Sequence, residues 1–88
     1  MEMNRNRELE ILQNSVIEVM QCDISEIEPG TTFEGDLGAD SLDAYQILLL
    51  VQDQIGVDLP IERVEQLQTI EDAYKLICEA LGKEAEEI

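Results

Sequence analysis

The chain has 88 residues, 44% of them hydrophobic, and carries 21 acidic against 5 basic side chains, for a formal charge of −16. A domain of this size buries about 60% of the surface its unfolded chain exposes, enough for a small core but not for a deep catalytic cleft. The charge repels nucleic acid and anionic lipid surfaces, and the absence of histidine excludes a Ser-His-Asp triad and His-containing zinc sites.

Leu9, Leu12, Val16 and Val19 or Met20 recur at steps of three and four, which predicts an amphipathic helix from Arg7 to about Gln21. From Cys22 to Asp40 the periodicity disappears, and Pro29-Gly30 marks a turn. A loop of that length is usually functional or disordered, and Phe33 and Leu37 are the apolar residues available to pin it to a core. Asp40 is a good N-cap with Asp43 three residues on, so a second helix runs from Ser41 to about Ile55, with Gly56 as its left-handed stop. Pro60 precedes a short helical turn through Ile61, Val64 and Leu67. Thr69 and Asp72 form a further capping pair, opening a last helix with Ala73, Ile77 and Leu81 inward and Gly82 closing it. Val57-Asp58-Leu59 could be extended but has no strand to pair with. The fold expected is all-α, a small four-helix bundle of three main helices and one short one, in a single domain over 1–88 with its core at about 7–82 and frayed ends.

The second helix contains Ile47-Leu48-Leu49-Leu50-Val51, more than a full turn of apolar residues that cannot all face one core. Leu48, Val51 and Ile55 are read as continuing an inward stripe begun by Leu42 and Tyr45, and Leu49 as facing solvent. An exposed leucine close to Ser41 and rimmed by acids hints at a docking surface.

The acids are spread evenly, with 11 in residues 1–44 and 10 in residues 45–88. Such self-repulsion destabilises the compact state, so salt or divalent cations should raise the melting temperature. Cys22 and Cys78 have no metal or redox spacing and read as small buried hydrophobes in a reducing cytosol. The longest apolar run is five residues, Ile47 to Val51, so neither a signal peptide nor a membrane span is expected. Asp36, Gly38, Asp40 and Asp43 suggest a calcium loop only until the register is counted, because Ser41 and Ile47 then fall where glycine and glutamate belong. No tightly bound metal is expected.

Ser41 is the residue of most interest, because it stands at a helix start where unpaired N–H groups and the helix dipole favour an attached phosphate. It has neither histidine nor lysine nearby to activate it, so chemistry at its hydroxyl has to come from another protein. On spacing alone, a serine behind a capping aspartate is more often part of the cap than a modification site.

Leu37-Gly38-Ala39-Asp40-Ser41-Leu42-Asp43 closely resembles the signature of acyl carrier proteins, the small acidic four-helix carriers of fatty acid and polyketide synthesis. Phe33 before Asp36-Leu37-Gly38, and Ile55-Gly56-Val57-Asp58-Leu59-Pro60 after the second helix, extend the likeness over about Leu9 to Leu81. The resemblance implies a carrier rather than an enzyme, in which Ser41 receives 4′-phosphopantetheine from coenzyme A through a separate phosphopantetheinyl transferase using Mg²⁺. The arm's thiol then carries acyl chains as thioesters to fatty acid or related synthase enzymes. It further implies partner contacts at Asp40, Leu42, Asp43, Leu49, Asp53 and Glu65 with basic patches on those enzymes, and an acyl chamber lined by residues such as Leu42, Leu48, Val51, Ile61, Leu67 and Ile77. The charge, the short apolar runs and the cysteine usage together lead to the expectation of a cytoplasmic protein that neither binds nucleic acid nor inserts into membranes, and, with no dimer seam apparent, of a monomer. Gln46, Gln52 and Gln54 stand where general fatty acid carriers commonly have acids, which points to a specialised pathway. Two other readings stay open: a carrier of aminoacyl groups, and an unmodified acidic helical adaptor binding a basic partner.

Overall fold

Asn6 opens the first helix, α1 (Arg7–Met20), by accepting the Leu9 N–H on its side-chain oxygen at 3.0 Å, with Glu8 and Glu10 placed to complement the helix dipole. The structure, a computed structural model, describes residues 6–86; of the ends expected to fray on either side of 7–82, residues 1–5 and 87–88 lie outside the described residues. Ile11, Leu12, Ser15 and Val16 are buried, while Leu9, Val19 and Met20 pack at the edge of the core. Gln21 turns into the left-handed region at φ 56 and ends the helix.

The loop that follows is neither featureless nor free. It contains a single 3-10 turn at Ile24–Glu26, closed by a capping box in which Glu26 accepts the Asp23 N–H at 3.0 Å. Periodicity could not reveal an element shorter than one apolar repeat. Phe33 is buried and Leu37 packs against the core, as expected of the two pins. The loop is also stitched to the start of the last helix: Phe33 N–H donates to the Gln68 carbonyl at 2.9 Å, Ile70 N–H to Thr31 at 3.0 Å, and Thr32 and Thr69 form an antiparallel bridge.

Helix α2 (Ser41–Ile55) ends at Gly56 with φ 72, a conformation that glycine adopts without strain. Its inward side chains are Ala44, Ile47, Leu48 and Val51, with Ile55 at the margin, which corrects the stripe expected through Leu42 and Tyr45. The spacing 44, 47, 48, 51, 55 keeps every member on one side of the helix, whereas Leu42 and Tyr45 lie across it and are exposed. Gln52 accepts the Leu59 N–H at 2.7 Å and shapes the connection, so Val57-Asp58-Leu59 forms no strand. A 3-10 helix (Ile61–Gln66) follows, on which Ile61 and Val64, with Leu67 just beyond, are half-buried against the core.

Helix α3 (Ile70–Leu81) has the predicted Thr69–Asp72 capping box and the predicted stop at Gly82, φ 74. Ala73 and Ile77 are buried together with Ile70, Tyr74, Leu76 and Cys78, and Leu81 is half-buried. Helix α1 packs against both α2 and α3, and the 3-10 helix lies along α2, giving the expected three main helices and one short one. Cys78 is buried as expected, but Cys22 is only half-buried. The segment after Gly82 returns to the bundle: Tyr74 OH accepts the Glu86 N–H at 3.0 Å and the Asn6 amide at 2.7 Å, and Lys83 meets Glu8 at 3.2 Å. One buried phenol thereby ties the two ends of the described chain.

Candidate functional site

The start of α2 is held to the core while its serine is left outside. Gly38 takes φ 70, Ala39 is buried, and the Ala39 N–H donates to the Phe33 carbonyl at 2.7 Å, so the chain turns sharply from the loop into the helix. Asp40 then caps: its side chain accepts the Asp43 N–H at 2.9 Å, and Asp43 reciprocates on the Asp40 N–H at 3.3 Å. The Ala44 N–H is taken by the Asp40 carbonyl at 3.0 Å. Among the described residues, no group bonds the Ser41 hydroxyl or takes the N–H groups of Ser41 and Leu42. An exposed hydroxyl and two unused donors therefore share the positive end of a helix of 15 residues.

A groove of ≈ 530 Å³ opens beside Ser41 toward the 3-10 helix. Phe33, Ala39, Ala44, Val64 and Leu67 give it an apolar floor, and Asp40, Glu65 and Gln68 are among its polar walls. Asp40, Ser41 and Glu65, far apart in sequence, thus meet around one opening. Leu42 points away from it and is 62% exposed, so it lines no interior chamber; Leu48, Val51 and Ile77 are core, with Ile61 and Leu67 half-buried at the edge.

Leu49 and Asp53 belong to a different surface. They line a shallow groove of ≈ 720 Å³ between α1 and α2 with Glu18, Val19, Gln46, Leu50 and Gln52. Asp53 is about 18 Å along the helix axis from Ser41, at 1.5 Å per residue. The six expected contact residues are therefore not one patch: Asp40, Asp43 and Glu65 gather near Ser41, and Leu42 and Leu49 lead from it toward Asp53.

Two of the three glutamines have internal work. Gln52 holds Leu59, and Gln54 donates to the buried Ser15 hydroxyl and to the Leu50 carbonyl, each at 3.3 Å. Gln46 is exposed. Tyr45, read as core from the sequence, is a surface residue at 42% exposure. The signal that would have placed it was the alternative stripe 44-47-48-51, which is more regular than one beginning at Leu42.

Away from Ser41, the surroundings of the protein's own thiols disfavour the thiolate at Cys22 and enclose Cys78. Burial, reinforced by the Glu26 charge and then by Asp23, pushes the Cys22 thiol above its ordinary value, and Cys78 is shut in the core. At the chain end, burial alone would raise the Glu8 carboxyl, but its backbone hydrogen bond, the Lys83 ammonium and Arg7 outweigh this and hold it low. Lys83 is raised in turn by its hydrogen bond to Glu8.

A family model described as a phosphopantetheine attachment site matches residues 10–77, which includes most of α1, the loop, all of α2 and most of α3. The chain belongs to the acyl carrier protein family. Two relatives named acyl carrier protein, from two strains of Treponema pallidum, one of them strain Nichols, are each 36% identical to it over 62 residues, covering 70% of this chain and 80% of theirs. The carrier is thus a vehicle for a covalently attached 4′-phosphopantetheine and not itself an enzyme. The residues at the start of α2 fit that group: a free hydroxyl to esterify, two N–H donors for phosphate oxygens, and an apolar-floored groove beside them. Among the described residues no helix is long and apolar enough to cross a membrane, and no cluster of three or more His, Cys, Asp or Glu could hold a metal.

Proposed function

We propose that Ser41 bears the 4′-phosphopantetheine arm and that its thiol holds growing acyl chains as thioesters for fatty acid or related synthase enzymes. The observation that carries this reading is the Ser41 hydroxyl, exposed and unbonded among the described residues at the first position of α2. With no internal base, a separate transferase brings the serine oxygen onto the β-phosphorus of coenzyme A. The new P–O bond forms as the pyrophosphate bond breaks, the adenosine bisphosphate leaves, and the serine proton passes to a base of the transferase. A flexible arm then raises the effective concentration of its cargo at whichever enzyme docks, so the carrier contributes proximity instead of catalysis.

Residues 1–88 act as one carrier domain, cytoplasmic and monomeric. Asp40 and Glu65 at the groove, and Leu42, Asp43, Leu49 and Asp53 along α2, are its contact residues, with basic groups on partner enzymes meeting the acids and favouring fast encounter. The growing chain enters beside Val64 and Leu67, and the half-buried 3-10 helix gives way to admit it. Gln46, exposed where an acid is common in general fatty acid carriers, supports service to a specialised pathway; Gln52 and Gln54, engaged internally, lend that reading less weight.

Intact-mass measurement after incubation with coenzyme A, Mg²⁺ and a broad-specificity transferase tests the reading. Wild type gains one phosphopantetheine and Ser41→Ala gains none; the same gain in both removes Ser41 from the role. Subsequent acceptance of a malonyl group, and not of an amino acid from an adenylating enzyme, separates an acyl carrier from an aminoacyl one.

A further inference from the structure

A groove of ≈ 460 Å³ lies between the 3-10 helix and α3, and Leu67 lines both it and the groove at Ser41. Three of the four basic side chains among the described residues, Arg63, Lys75 and Lys83, are in its lining. By contrast, the Ser41 groove has Glu34, Asp40 and Glu65 and no base, and the α1–α2 groove has Glu18 and Asp53 and no base. A chain of charge −16 thus gathers its cations at one opening. Two of them are able to change partners. Arg63 meets Glu79 at 3.1 Å and Lys75 meets Glu71 at 3.5 Å, with all four side chains well exposed, so water screens both pairs and another carboxylate can compete for the cations. Lys83 is committed to the half-buried Glu8 at 3.2 Å. Of the acids in the lining, Glu79 is the Arg63 partner, and the Asp72 carboxylate is engaged by the N–H groups of Gln68 at 3.0 Å and Thr69 at 3.2 Å.

We propose that this groove seats the free end of cargo ending in a carboxylate, that is, of a dicarboxylic acyl group, while neutral chains stay in the groove at Ser41. The inference rests on the reading of Ser41 above. Charge makes the choice: a cargo carboxylate is repelled beside Glu34, Asp40 and Glu65 and attracted beside Arg63 and Lys75. Attachment makes a weak site sufficient. A free anion is held off by the charge of −16, but a short flexible tether keeps its cargo at an effective concentration on the order of millimolar. Because Leu67 lines both grooves, they are neighbours across one side chain and a single arm serves both. The methylenes of the cargo lie along Leu67 and Leu76, and its carboxylate takes the place of Glu79 on the Arg63 guanidinium, whose planar fork suits two oxygens. The carrier then sorts its cargo by the charge at the far end of the chain.

The test loads the full-length chain, with a broad-specificity transferase and Mg²⁺, from adipoyl-coenzyme A or from its terminal carboxamide, which has the same shape and no charge. Intact mass confirms loading, and melting temperatures are compared near neutral pH at low salt. The sign is decisive, because a carboxylate with no basic seat adds to the self-repulsion of the chain and lowers the melting temperature. The adipoyl form of wild type melts about 3 °C above the carboxamide form. In the double variant Arg63→Gln, Lys75→Gln the order reverses, and the adipoyl form melts at or below the carboxamide form. A wild-type adipoyl form that melts no higher than the carboxamide form, or a margin that survives in the double variant, overturns the carboxylate seat while leaving Ser41 as the attachment residue. Absence of any mass gain on wild type from either thioester removes both.

Discussion

Gln52 separates recognition from architecture within α2. Its side-chain oxygen accepts the N–H of Leu59 at 2.7 Å, and Leu59 is only 5% exposed, so water cannot readily replace the bond. Gln52→Ala leaves that donor unsatisfied at a cost of about 1–3 kcal/mol. For a domain of this size the melting temperature falls by about 4–8 °C per kcal/mol, giving a drop of about 4–24 °C. Gln52→Glu keeps an acceptor in the same place and strengthens it by charge, offset by repulsion from Asp53, so it retains most of the wild-type melting temperature. Thermal unfolding of the two variants followed by circular dichroism checks this. The reasoning would be refuted by a Gln52→Ala variant that melts with wild type while Gln52→Glu alone changes the KM for the transferase, since Gln52 would then be a recognition residue. The functional stake is the connection it braces: Leu59 leads into the 3-10 helix that walls the Ser41 groove.

Other consequences concern pH, thiols and salt. Because Glu8 is held low and Lys83 is raised, the pair's stabilisation is present above the ordinary carboxyl range and lost as pH falls through it, and is present below the ordinary lysine value of 10.5 and lost as pH rises past it. The difference in melting temperature between wild type and Lys83→Gln is accordingly widest near neutral pH and closes at both extremes; a gap constant with pH would contradict the bridge. With its thiol raised by burial and by Glu26, Cys22 reacts with iodoacetamide at pH 7 more slowly than an unstructured cysteine peptide, and Cys22→Ser leaves the phosphopantetheine thiol as the dominant alkylation site of the loaded carrier. Equal rates for Cys22 and the peptide would show that the surroundings do not suppress it. Raising NaCl from about 10 mM to about 1 M shortens the screening length from about 30 Å to about 3 Å, so the melting temperature of this −16 chain rises; a flat titration would mean that self-repulsion is not a significant cost.

What the sequence disclosed was whatever is decided locally. Asp40 with Asp43, Thr69 with Asp72, and the left-handed Gly56 and Gly82 each set a helix end through residues within a turn, and all four are where their spacing put them. The apolar stripe of α2 was misread because five consecutive apolar residues satisfy two helical faces. Packing against α1 chose the face with Ala44 and Ile47, and that choice moved Tyr45 from core to surface. The roles of Gln52 and Gln54 were hidden for another reason: their partners, Leu59 and Ser15, are seven and 39 residues away in sequence. The same non-locality brings Glu65 to the groove beside Asp40 and Ser41, and separates Asp53 from it. The loop before Ser41 has no periodicity to read, since its order comes from backbone bonds to residues 68–71 and from the buried Phe33 and Ala39.

The central claim is that one serine, at the first position of α2, is where the arm is attached. Peptide sequencing by tandem mass spectrometry of the transferase-treated chain addresses it directly. A single phosphopantetheine is expected on the peptide containing Gly38-Ala39-Asp40-Ser41-Leu42-Asp43, with the added mass on Ser41. Modification at Ser15, Ser25 or a threonine, or a chain left unmodified under conditions that load another acyl carrier protein, would contradict it.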